Sequence, residues 1–79
     1  MLKLKIFKLN EFLQIVNECI GPVNIIHSDG KKKNINKSYS LQEELKRKYK
    51  KNKNCLCLEL NIPIPQDYMN IVCFSISDH

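Results

Sequence analysis

The spacing of apolar positions divides the chain into alternating strand and helix segments. Leu2, Leu4 and Ile6 alternate with Lys3, Lys5 and Phe7, a period of two that predicts a strand with one buried face. Leu9, Phe12, Leu13, Val16, Cys19 and Ile20 then recur at helical spacing, with Asn10 placed to cap the helix and Gly21-Pro22 to stop it. Residues 23–26 form a short β-branched run, Ser28-Asp29-Gly30 reads as a turn, and 31–36 as a weak return strand whose lysines suit an exposed edge. Next, Ser40-Leu41-Gln42-Glu43 has the spacing of a capping box, and Leu41, Leu45 and Tyr49 give the helix behind it a narrow apolar stripe. Glu43 and Glu44 near its start and a run of lysines toward its end complement the helix dipole. In Cys55-Leu56-Cys57-Leu58-Glu59-Leu60 the leucines take one face of a central strand, and the cysteines and Glu59 the other.

The tail reads two ways. Pro65-Gln66-Asp67 suits a first helical turn, and Tyr68, Met69, Val72, Cys73 and Ile76 then share one helical face. Yet Val72, Phe74 and Ile76 also alternate as in a strand. Burial favours the helix: Leu56, Leu58 and Leu60 need a cover that two helices supply poorly, and a third would bury Met69, Val72, Cys73 and Ile76. The order is then βαββαβα, an α+β open-faced two-layer sandwich. Its four-stranded, mainly antiparallel sheet carries the helices on one face and leaves the other uncovered; a strand in the tail would make the order βαββαββ.

With 79 residues, the chain is expected to be one domain spanning 1–79. No apolar run approaches the ~20 residues of a membrane span, and MLKLKIFKL lacks the apolar core of a secretory signal, so a cytoplasmic location is expected. Cys19, Cys55, Cys57 and Cys73 form no C-x-x-C pair and do not cluster with His27 or His79, so the thiols are expected as small hydrophobes, with no metal and no cofactor. The net charge of +5 is almost wholly lysine, Arg47 being the one arginine, the residue best suited to bidentate phosphate and guanine contacts. Two glycines leave no phosphate loop, and the acids, from Glu11 to Asp78, show no paired placement, so an enzyme is not expected.

The element order resembles that of HPr, the phosphocarrier of the sugar phosphotransferase system, and its small HPr-like relatives. The local likeness lies in Phe12-Leu13-Gln14-Ile15-Val16 followed by Val23-Asn24-Ile25-Ile26, and in Asn36-Lys37-Ser38 before the central helix, which is similar to the family's Lys-Ser signature. The resemblance implies the open-faced fold, and maps a regulatory serine onto Ser38. It also implies what is missing. Where the family carries its phosphohistidine motif, this chain reads Phe7-Lys8-Leu9-Asn10, without histidine or arginine. The expected function is therefore a non-catalytic domain that binds protein, without histidine phosphotransfer.

Three surfaces are candidates for binding. Ser38, beside Lys37, is a candidate for regulatory phosphorylation, competing with a plain turn or capping role. Lys31, Lys32, Lys33, Lys46, Arg47, Lys50, Lys51 and Lys53 form a candidate surface for an anionic partner, either a nucleic acid or nothing more than solvent. Phe7, Ile26, Cys55 and Cys57, on the uncovered sheet face, form a candidate interaction face for a protein partner or a second copy of the chain. A protein partner is expected first, nucleic acid second, and a membrane not at all.

Overall fold

The computed structural model describes residues 2–77, the side chain of Ser77 excepted; Met1, Asp78 and His79 lie outside the described residues. The order of elements is β1 (Leu2–Ile6), α1 (Leu9–Glu18), β2 (Asn24–Ile26), β3 (Lys32–Asn34), α2 (Tyr39–Lys51), β4 (Leu56–Asn61) and α3 (Pro65–Ser77). The four strands form one antiparallel sheet in the order β1-β4-β2-β3. β4 pairs along its length with β1, from Leu2↔Leu60 to Ile6↔Leu56, which sets all three of its leucines on the covered face beside Leu2, Leu4 and Ile6. The helices share that face: α1 packs against both α2 and α3, and α3 against β1. Ile6, Phe12, Val16, Val23, Leu60 and Ile71 are fully buried between the layers. The fold class expected from the sequence is the one observed.

The element ends differ from the sequence pattern, each for a physical reason. α1 starts at Leu9 with Lys8 as its N-cap, so Asn10 lies inside the first turn and does not cap. Burying Leu9 along with Phe12 and Val16 requires it to be on the helix, and the Phe12 amide donates to the Lys8 carbonyl. The helix ends at Glu18, before Gly21-Pro22, because Cys19 is already extended (φ −66°, ψ 149°). Ile20 therefore leaves the apolar stripe and stands 78% exposed. The Ser40–Glu43 capping box does not form. α2 begins two residues earlier with Ser38 as N-cap, Ser40 sits within the helix, and Glu43 pairs forward with Lys46 at 3.3 Å. A turn in which Lys37 adopts φ 59° and the Ser38 amide donates to the Ile35 carbonyl sets this earlier start.

The tail is a helix, with Pro65 at its first position as the missing amide of proline allows. Its buried face is not the expected one. Ile71 (0% exposed), Phe74 (8%) and Asp67 (1%) point inward, Phe74 meeting the Phe12 ring at 5.9 Å between centroids. Met69, Cys73 and Ile76 are exposed and Val72 is half-buried, so Cys73 is not the buried thiol the sequence pattern implied. The reason is Asp67. Its carboxylate accepts from the amides of Ile20 (3.0 Å) and Gly21 (2.8 Å), two donors of the loop that follows α1, where the chain has left the helix. Turning Asp67 inward brings Ile71 and Phe74, four and seven residues on, onto the same side of the helix. Gly21 permits the approach: a Cβ there would collide with the Ile64 side chain.

Truncation separates the two faces. Ile71→Ala is expected to cost about 2–5 kcal/mol of unfolding free energy, as for other buried aliphatic truncations. Met69→Ala should stay within about 0.5 kcal/mol of the parent, as surface changes do. Urea denaturation of the two variants checks this, and equal losses would contradict the assigned face.

Candidate binding sites on the sheet and the lysine-rich edge

The sheet carries a gap. β2 and β4 pair at two positions only, Asn24↔Asn61 and Ile25↔Leu60, after which β2 runs into its turn and β4 continues alongside β1 alone. The turn is fixed locally: the Gly30 amide donates to the His27 carbonyl, Gly30 takes φ 86°, and the Asp29 carboxylate accepts from the Lys31 amide at 3.0 Å. Where the strands part, an open cleft of about 450 Å³ enters the sheet. Its floor is Ile25, Leu45, Leu56 and Leu58; its rim includes His27 and Ser28 on one side and Cys55 and Cys57 on the other. Lys48 and Asn52 reach it from α2. Strand separation of this kind leaves part of a central strand's backbone without a neighbour, and such an edge can pair with an added strand.

Of the expected interaction face, Ile26, Cys55 and Cys57 therefore come together around this cleft, Cys57 exposed and the other two half-buried. Phe7 does not line the cleft, although it shares the open sheet face with Lys5, which pairs with Cys57. It stands at the end of β1, 41% exposed, with the Lys5 ammonium 5.5 Å from its ring centre. A shallow groove runs along the β1–β4 pair, where Lys5 faces Cys57 and Lys3 faces Glu59.

The expected cationic surface is dispersed. Lys31 leads into β3, and Lys32 and Lys33, on the outer edge strand, are exposed; Lys33 pairs with Ile25 and so lies on the helix side, near Glu44 and Lys48 of α2. Lys46 is engaged by Glu43 and faces α1, while Arg47, Lys50, Lys51 and Lys53 are exposed around and beyond the helix end. No single groove gathers them. Ser38 is half-buried at the N-cap of α2, and its hydroxyl makes no capping hydrogen bond, although its carbonyl accepts from the Gln42 amide. The nearest cations in sequence are Lys37 and the lysines of β3.

Polar side chains with no role in the sequence pattern hold the α2 end of the molecule. Gln42 is 4% exposed and donates to Asn17 Oδ1 (2.7 Å) and the Ile35 carbonyl (2.8 Å). Asn34 Oδ1 accepts from the amides of Val23 and Asn36, and Asn36 donates to the carbonyls of Cys19 and Gly21. The signal that would have found Gln42 is its place one residue after Leu41 and three before Leu45, on the edge of the apolar stripe. Among the described residues no group of three or more His, Cys, Asp or Glu side chains is placed to hold a metal ion, and no helix is long and apolar enough to cross a membrane. No family model, no curated protein and no solved structure matches the chain.

The cysteines divide by environment. Cys19 is buried, donates to the Ile15 carbonyl at 3.3 Å, and its pKa is raised from 9.0 to about 11 by burial first and then by the adjacent Asp67 carboxylate. Because the unfolded chain gives up this proton at lower pH than the native one, stability is lost as pH rises from about 9 to about 11. In Cys19→Ala that part of the decline disappears, which denaturation across this pH range measures. At neutral pH a thiol reagent should modify Cys57 in the folded protein and reach Cys19 only as fast as the chain unfolds.

Proposed function

We propose that this chain is a non-catalytic, HPr-like binding domain that takes an extended segment of a protein partner at the gap between β2 and β4. The observation that carries the reading is the two-position pairing of β2 with β4, next to a cleft with an apolar floor. An incoming strand would find backbone groups of β4 to pair with, and Ile25, Leu56 and Leu58 to receive an apolar side chain. The cleft carries both signs, Lys48 and Glu59, so a segment with one acidic and one basic residue fits it. The HPr-like part of the proposal is supported by the βαββαβα order and by the Phe12–Val16, Val23–Ile26 and Asn36–Ser38 likenesses. The N-cap position of α1, where a phosphocarrier of that family would use the helix start to hold phosphate, is occupied here by Lys8 and flanked by Phe7 and Leu9. Location in the cytoplasm and regulation through Ser38 belong to the same proposal; the Ser38 position at a helix N-terminus would accommodate a phosphate.

Nucleic acid remains the second reading, resting on the exposed Arg47, Lys50, Lys51 and Lys53. Their spread around the helix end supports it less well than a gathered stripe would, and the sole aromatic among them, Tyr49, is engaged through its hydroxyl with the Phe7 carbonyl.

Incubation with the general phosphotransferase enzyme and phosphoenolpyruvate is expected to leave the protein unlabelled; stoichiometric acid-labile phosphate on His27 would contradict the proposal. A protein partner retained by the parent should be lost with Ile26→Lys combined with Cys57→Lys, and kept with Lys50→Gln and Lys51→Gln. The reverse pattern, or a shift of labelled DNA or RNA that vanishes between about 50 and 200 mM salt, would move the function to the cationic surface.

A further inference from the structure

α3 has a second apolar face that the fold leaves uncovered. Ile71 and Phe74 are spent on the core, yet Met69 is 55% exposed, Ile76 68% and Tyr68 38%, with half-buried Val72 between them. Tyr68, Val72 and Ile76 follow one another at intervals of four, so these side chains form one stripe, about 12 Å long from end to end. Single exposed apolar residues need no explanation, but a stripe along two helical turns does. The stripe is also uncharged: Asp67 is the one charged residue of Pro65–Ser77, and it is buried. In a chain that is 27% charged, a helix face kept solely for solvent would carry lysine or glutamate.

We propose that α3 is a self-association surface, on which the occupant is a second copy of this chain packed α3 against α3 across a two-fold axis. Charge selects this occupant. In a two-fold contact each patch meets itself, so a face with net charge repels its own copy. The open sheet face would bring Lys3 and Lys5 against their equivalents, and α2 would oppose a row of cations to itself. α3 opposes only neutral side chains. Its position adds to this: α3 lies over α1 and β1, at the edge of the sheet away from β3, while α2 packs on the other side of α1. Pairing through α3 therefore keeps the lysines of β3 and α2 at the far ends of the assembly, with those of β1 nearer the contact. One helix pair buries less than the ~1,200 Å² of a standard interface, so the dimer is a weak, reversible one. The sheet gap stays open in this arrangement, which makes the inference independent of the proposed function.

Sedimentation equilibrium of the full chain under reducing conditions, from about 10 μM to 1 mM, tests it. The weight-average mass is expected to climb from 9.3 kDa toward twice that value, and more readily at higher salt, because salt screens the repulsion between cationic copies. Met69→Glu and Ile76→Glu should each weaken association at least tenfold while leaving the far-UV circular dichroism unchanged, whereas Lys3→Gln should not weaken it. In the unmodified protein, amide chemical shifts that move with concentration should map to 68–76. A mass of 9.3 kDa up to 1 mM would overturn the proposal, as would concentration-dependent shifts confined to the open sheet face, or glutamate variants that associate as tightly as the parent.

Discussion

The arrangement of this molecule depends on one buried carboxylate. Asp67 closes the exit of α1 by accepting the amides of Ile20 and Gly21, and in doing so fixes how α3 is rotated about its own axis. Bonds from amides to a charged acceptor contribute about 1.5–3 kcal/mol each, and losing the acceptor leaves two donors in a half-buried turn without partners. The choice is between two apolar faces of the same helix, and side-chain volume alone does not decide it: Met69, Val72 and Ile76 could fill space as well as Ile71 and Phe74. The requirement to satisfy the amides of the loop after α1 does. What faces outward on α3, and so what it can bind, follows from a backbone-capping interaction made elsewhere.

A second set of polar contacts does the same work at the other side of α1. Asn36 takes the carbonyls of Cys19 and Gly21, Asn34 holds the Val23 amide, and Gln42 ties the start of α2 to Asn17 and Ile35. Between them these side chains and Asp67 bind both the donors and the acceptors of the segment from Cys19 to Val23. That segment delivers β2 to the sheet at Asn24 and Ile25, and the hairpin turn takes the chain away two residues later. The gap between β2 and β4 is thus built by the loops that position β2.

The periodic parts of the fold were legible. Alternation in 2–6 and 56–60 and the α1 stripe place β1, β4 and α1 because each depends on one buried face, which the sequence repeats every two or every 3.6 residues. The composition of the open sheet face followed directly from the same alternation. The rest was hidden for one physical reason: it depends on polar groups satisfying backbone atoms far away in the chain. Asp67 lies 46 residues from Gly21, and no local spacing announces that pair. A first-turn acid says nothing by itself about how the helix is rotated, and the stripe of Tyr68, Met69, Val72, Cys73 and Ile76 points Cys73 inward. Asp67 does fall four residues before Ile71 and seven before Phe74, and a lone acid in line with apolar residues is the signal that was available. The cleft was less visible still, since His27, Lys48 and Cys57 come from three elements and meet only where two strands part.

Amide hydrogen exchange at Ile20 and Gly21 tests the central role of Asp67 most directly. In the parent protein both amides should exchange as slowly as those of the β1–β4 ladder, although they lie outside any helix or strand. In Asp67→Ala their protection should collapse to that of an open turn while the ladder amides of β4 stay protected relative to it. Rapid exchange at Ile20 and Gly21 in the parent, or protection there that survives the loss of the carboxylate, would contradict the account.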